Sequence, residues 1–266
     1  MIRDITLGQY YPTDSVLHRL DPRVKLVGTL VYVVSLFLFQ SFTGYIVATV
    51  FLVSMMILSH VPVSFMFRGL RAIFILLIFT AVLNIFLTPG RELVSFWKIS
   101  ITIEGLQLAG FMVLRLVYLI TGSSIMTLTT TPSSLTDGLE KGLGWMKVFR
   151  IPVHEIAMMM SIALTFIPVL LEETDRIMKA QQARGADFES GNLVKRARAL
   201  VPILVPLFVS AFRRANDLAL AMEARCYRGG NGRTKLHPLK YATRDHIAYI
   251  VLIAYLAAII VVGLYF

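Results

Sequence analysis

Apolar residues gather in long blocks, separated by charged stretches. Residues 24–58, 71–88, 105–130 and 246–266 are almost wholly apolar, and further apolar runs occupy 151–171 and 199–212. A helix that crosses a bilayer needs about 20 predominantly apolar residues, so the blocks predict an all-α, polytopic membrane protein. Read as one helix, 24–58 would reach about 50 Å at 1.5 Å per residue, too long for a single crossing. Gln40-Ser41-Phe42-Thr43-Gly44 is the natural break and yields two short spans. Pro89-Gly90 stops the third, 105–130 is the fourth and 246–266 the fifth.

Composition agrees with this pattern. The chain is 56% hydrophobic and 16% charged, against about 45–50% and 25% in soluble domains. Its net charge is nonetheless +10, which points to a basic cytoplasmic face and speaks against a soluble nucleic-acid binder. Residues 1–22 are mixed and polar and read as no signal peptide. The single cysteine, Cys226, allows no internal disulfide and no thiolate metal cluster.

Charge decides the two ambiguous runs. Residues 151–171 contain His154, Glu155 and Pro168, while 199–212 is short and carries Pro202 and Pro206. If both crossed, Lys179, Arg184, Lys195, Arg196 and Arg198 would lie outside, against the positive-inside bias. If neither crosses, 131–244 is one inner region with 17 of the 26 Lys and Arg, and the external loop 89–104 holds only Arg91 and Lys98. The expected division is therefore 1–130, a membrane region of four spans; 131–244, cytoplasmic or interfacial; and 245–266, a last span. In the cell membrane the N-terminus would be cytoplasmic and the C-terminus outside.

Within the inner region, Phe212, Ala215, Leu218, Ala219, Met222 and Cys226 recur at steps of three and four. They predict an amphipathic helix, with Arg213, Arg214, Asp217 and Glu223 mainly off its apolar stripe. A repeat stands out in the same region. Ala183-Arg184-Gly185 and Ala224-Arg225-Cys226 lie 41 positions apart, and each closes a stretch that opens apolar around a proline and turns charged. One such arginine is readily explained by the helix dipole at a C-terminus. Two at matching positions point to paired contacts, for which the planar five-donor guanidinium is well suited.

The motifs of membrane enzymes are incomplete. His154-Glu155 begins a zinc-protease helix, but Met158 stands where the second histidine belongs. Glu172-Glu173 has an arginine, Arg176, one residue short of the spacing in intramembrane prenyl-protein proteases, and Asn216-Asp217 lacks a second aspartate four residues on. With no phosphate-cradling Gly-x-x-x-x-Gly-Lys-Ser/Thr loop, nucleotide chemistry would have to come from a partner, and no cofactor is expected. Arg115 lies mid-span, where a charge should face the bundle interior and be paired. Asn84 is a candidate neighbour, and the roles open to Arg115 are structural support, gating or solute contact. Gly122-Ser123-Ser124 would permit close helix packing.

At these residues the chain resembles a known family, the transmembrane T component (EcfT) of energy-coupling factor transporters, over nearly its whole length. Leu20-Asp21-Pro22-Arg23-Val24-Lys25-Leu26 is similar to that family's entry into the first span, and Arg115 with Thr129-Thr130-Thr131-Pro132 and Leu135 to its fourth span and exit. The paired Ala-Arg-Gly endings are the most specific mark, with Cys226 where glycine is commonest and Tyr227-Arg228-Gly229-Gly230 following. The resemblance implies a non-catalytic scaffold of an ATP-driven importer of vitamins or other micronutrients. It further implies that Arg184 and Arg225 dock in grooves of two cytosolic ABC-type ATPases, and that a small membrane-embedded S component binds the substrate. The length and the long inner region resemble the shared-module type of Gram-positive bacteria. The alternative from another class is a secondary transporter or channel that touches its solute through Arg115.

Overall fold

The computed structural model describes residues 10–39, 41–96, 99–188, 192–230, 234 and 238–265. Nine α-helices are seen among these residues: α1 (Pro22–Ser35), α2 (Phe42–Ser59), α3 (Val63–Met66), α4 (Arg68–Leu87), α5 (Ile103–Thr129), α6 (Pro132–Gly142), α7 (Val153–Ala183), α8 (Leu193–Ala224) and α9 (Thr243–Tyr265). A small antiparallel hairpin, β1 (Glu92–Phe96) and β2 (Ile99–Thr102), joins α4 to α5, and a 3-10 segment, Leu143–Phe149, precedes α7. The fold is all-α and polytopic, as the apolar blocks predict.

By length and composition, five helices can cross a membrane: α2, α5, α7, α8 from Arg198 onward, and α9. A sixth arises if Val63–Arg71 and Ile73–Leu87, which meet at 62°, count as one bent span. The total of five matches the sequence reading, but the membership differs. The first expected span, α1, has 14 residues and so reaches only about 21 Å at 1.5 Å per residue, short of a hydrocarbon core of about 30 Å. Conversely, 199–212 is no isolated short run. It belongs to a 32-residue helix that continues through Pro202 and Pro206, as the 31-residue α7 continues through Pro168. Each proline removes one backbone donor, but the bonds on either side of it hold the helix together.

The chain forms two compact units, one of Gly8–Gly142 with Leu239–Phe266, the other of Leu143–Pro238. In the first, α1, α2, α5 and α9 pack around an aromatic core. The Phe51 and Tyr255 rings stack at 4.1 Å, those of Tyr45 and Phe111 at 5.3 Å, and Ser35 Oγ and Tyr255 Oη hydrogen-bond at 2.8 Å. Leu36, Ala48, Met66 and Ile259 are almost fully buried among them. Gly122 lies directly against the Tyr32 ring, leaving no room for a Cβ, so the small residue predicted for close packing serves an internal contact between α1 and α5. Helix α6 packs on α1, with Gly138 against Pro22. Thr131 accepts a bond from the Ser134 N–H at 3.3 Å, and Pro132 takes the first helical position, where its missing N–H costs nothing.

The entry motif of the first helix is a latch. Asp21 N-caps α1, accepting from the Arg23 N–H at 2.9 Å, and pairs with the Arg23 guanidinium at 2.9 Å. The Asp21 N–H in turn donates to Asp245 Oδ1 at 2.9 Å, while Asp245 Oδ2 accepts from the Ala242 N–H at 2.8 Å. Arg23 lies 4.0 Å over the Tyr241 ring. Burial pushes the Asp21 carboxyl up, but the side-chain and backbone bonds from Arg23 outweigh it and hold the group below the ordinary aspartate range. Lys25 donates to the carbonyls of His18 at 3.2 Å and Thr129 at 2.8 Å. The Asp-Pro-Arg-x-Lys and Thr-Thr-Thr-Pro stretches thus meet in space.

Candidate functional site

The two Ala-Arg endings fold identically. At the end of α7, Ala183 is the last helical residue, Arg184 is the C-cap (φ −86°, ψ 6°) and Gly185 is left-handed (φ +86°). The Gly185 N–H donates to the Gln182 carbonyl at 2.9 Å and the Ala186 N–H to that of Gln181 at 3.0 Å. At the end of α8, Ala224 is last, Arg225 is the C-cap (φ −88°, ψ 12°) and Cys226 is left-handed (φ +54°). There the Cys226 N–H donates to the Glu223 carbonyl at 2.8 Å and the Tyr227 N–H to that of Met222 at 3.0 Å. Both are Schellman caps, in which crossed bonds satisfy the last free carbonyls. Cysteine in place of glycine therefore keeps the geometry, at the steric cost of a Cβ in a left-handed residue.

The cap fixes the arginine backbone and leaves its side chain outward. Ala183, Arg184, Gly185, Ala224, Arg225 and Cys226 are all exposed. Among the described residues, neither Arg184 nor Arg225 has a hydrogen bond or an ion pair through its guanidinium. Two solvent-facing forks, each beside a small alanine and launched from the same local backbone frame, are arranged to accept carboxylates or carbonyls from outside the chain.

Helices α7 and α8 pack on each other through Ile162, Phe166 and Leu170 on one side and Ala211, Ala215 and Leu218 on the other, with Arg214 pairing Glu173 at 3.5 Å. The stripe predicted on α8 is thus displaced. Ala215, Leu218, Ala219 and Met222 face α7 as expected, but Phe212 is 67% exposed and Arg214 takes its place on the inner face. Glu173, from the Glu172-Glu173 pair, is the ion-pair partner of Arg214. His154 lies against Gly230, whose missing side chain makes room for the imidazole. No group of three or more His, Cys, Asp or Glu residues suited to a metal occurs among the described residues.

Arg115, half-buried on α5, reaches the Phe39 carbonyl at 3.4 Å and lies 5.3 Å from the centre of the Phe37 ring. Its Nε is buried without a hydrogen bond. No hydrogen bond joins it to Asn84 among the described residues; the Asn84 amide donates to Thr80 within its own helix at 2.8 Å. Asp245 and Tyr241, which complete the N-terminal latch, escaped the sequence reading, since nothing local marks a contact spanning more than 200 positions.

Comparison with known proteins follows the same residues. The CbiQ family model, described as a cobalt transport protein, matches residues 13–236. The energy-coupling factor transporter transmembrane protein EcfT of Clostridium kluyveri is 58% identical over 250 residues, covering 93% of this chain and 93% of the relative. The protein of the same description from Thermosediminibacter oceani is 54% identical over 249 residues, 94% of each chain, and that from Lactococcus lactis subsp. cremoris is 45% identical over 253 residues, 95% of each. A multi-pass helical chain related to these proteins over nearly its full length belongs to the EcfT family, the transmembrane components of energy-coupling factor transporters.

Proposed function

We propose that this transmembrane component is the non-catalytic scaffold that links two cytosolic ABC-type ATPases to a membrane-embedded, substrate-binding S component for uptake of vitamins or other micronutrients. The ATPases contact Arg184 and Arg225, one arginine to each subunit, with Ala183, Gly185, Ala224 and Cys226 holding the two forks accessible. The observation that carries this reading is the congruence of the two exposed Schellman caps. The helix dipole accounts for a cation at either end, but not for the matched exposure of both guanidinium forks from one and the same backbone frame. ATP-driven rearrangement of the ATPases would then move the helix pair and through it the S component.

Residues 131–244 lie on the cytoplasmic side or in the inner interface, with the N-terminus inside and the C-terminus outside; this reading keeps α7 and α8 in the interface although each is long and apolar enough to cross, and it counts the short α1 as a crossing. The lopsided distribution of Lys and Arg supports this placement. The apolar outer face of α8, including Leu204, Val205, Phe208 and Phe212, is exposed and suits acyl chains or the S component. Arg115 is a structural residue in this reading, turned to a carbonyl and an aromatic face. That arrangement weakens the alternative of a transporter or channel working through it.

The test measures ATPase retention on the purified membrane subunit and substrate uptake in vesicles. Arg184→Glu and Arg225→Glu should each lower both, and Arg→Lys should rescue only in part, because lysine lacks the planar fork. Wild-type assembly and uptake in the double variant would reduce these caps to ordinary helix ends.

A further inference from the structure

Between α1, α2, α5 and α9 lies an open cavity of about 200 Å³ with almost wholly apolar walls, among them Leu20, Tyr32, Leu52, Ile125, Ala248 and Leu252. An apolar cavity of about 150 Å³ already accepts a benzene-sized hydrocarbon, so this one has room for a segment of an acyl chain. Two cations also line it, Lys25 from α1 and Arg244 from the first turn of α9. Lys25 spends two of its three N–H bonds on neutral carbonyls, and among the described residues no carboxylate pairs with it. Arg244 is exposed and forms no ion pair among those residues. The nearest acid in sequence, Asp245, is buried and occupied by two backbone N–H groups. The site therefore combines a dry hydrocarbon slot with two cations on its wall, Lys25 offset through space by Asp21 and Asp245 and Arg244 without an ion pair among the described residues, in a protein embedded in lipid.

We propose that this cavity is a binding site for an anionic membrane phospholipid, with one acyl chain between α1 and α9 and the phosphate on Lys25 and Arg244. Charge complementarity selects the headgroup, since a zwitterionic lipid brings its own cation to a wall that already holds two. The lipid would fill a gap that the helices leave among themselves, next to the Asp21–Asp245 latch.

Gly28 provides a direct test. It lines the cavity, and a Cβ added there meets no heavy atom within 4 Å. Gly28→Leu should therefore fill the slot without disturbing the helix. The full chain is purified in neutral detergent and exposed to phosphatidylglycerol, to phosphatidylcholine with the same chains, or to inorganic phosphate. Bound lipid is counted by native mass spectrometry, and the lipid-dependent melting shift is recorded. The wild type should prefer phosphatidylglycerol about fivefold or more, the effect of roughly one surface cation on an anionic lipid. Arg244→Gln should lower that preference about twofold or more, Lys25 remaining, and Gly28→Leu should lose both lipids while melting normally without them; an unchanged preference in Arg244→Gln would overturn the proposal. Equal retention of the two lipids, a melting shift reproduced by phosphate alone, or undiminished phosphatidylglycerol on Gly28→Leu would each overturn the proposal. Arg244→Gln, at an exposed position, keeps the test decisive should Gly28→Leu misfold.

Discussion

The bundle formed by 8–142 and 239–266 and the helix pair of 143–238 are stabilised in different ways. The bundle closes on itself. It has a stacked aromatic core, a Ser35–Tyr255 hydroxyl pair between α1 and α9, and a latch joining Asp21 to Asp245. Among its described residues the helix pair has few buried apolar side chains (Val153, Ala157 and Ile203), a half-exposed ion pair between Arg214 and Glu173, and two well-formed caps. Its order comes from within each helix, and much of its apolar surface faces outward. A bundle of the first kind holds its shape alone; a pair of the second kind is built to be completed by something else. The difference tells where substitutions should affect stability and where they should affect assembly.

The largest effect is expected at the latch. Asp245→Ala removes the acceptor of two backbone N–H groups, one of them deeply buried, and should cost the bundle about 3 kcal/mol. Thermal unfolding of the detergent-solubilised chain measures the loss, while protease protection of 153–224 should stay unchanged. A fall in both would mean that the two regions are not energetically separate. The latch also sets a pH response. Because the folded Asp21 carboxyl titrates below its ordinary value, its contribution is complete above about pH 4 and disappears only as the pH falls through the lower folded value.

A smaller effect, of opposite sign at its two ends, is expected in the caps. Gly185→Ala introduces a Cβ at φ +86° and should destabilise the end of α7 by about 1 kcal/mol, whereas Cys226→Gly should relax the end of α8 by a similar amount. Hydrogen exchange of the last helical turns reads both. If neither changed, the left-handed residues would be incidental to the caps. Smallest of all, Arg214→Ala should cost about 0.5 kcal/mol, because its pair with Glu173 is long and partly solvated. A loss several times larger, read by the same exchange experiment, would show the helix pair to be more tightly closed than its surface indicates.

Much of this was legible in the sequence because it is local. Apolar blocks of membrane length gave α2, α4, α5 and α9, and the twin endings could be aligned by eye. The geometry of Cys226 was harder to read, since a left-handed cap normally calls for glycine. The full length of α8 escaped because Pro202 and Pro206 argue for a break, although only neighbouring turns decide whether one follows. The exchange of Phe212 for Arg214 on the inner face has a similar origin. Over four turns a stripe can rotate by one residue and keep its spacing, and the ion pair to Glu173 fixed the phase. The Asp21–Asp245 contact carries no local signal at all.

That contact also has a place in time. The Asp21 N–H is made early in synthesis, and its acceptor follows 224 residues later. At about 5–20 residues per second the wait is roughly 11–45 s. Throughout that interval the entry of the first helix is unfastened, and the α9 faces of Tyr32 and Phe51 are bare. The bundle therefore becomes whole only as its last helix arrives, and a chain cut short before α9 keeps the open seam by which an unfinished copy can be told from a finished one.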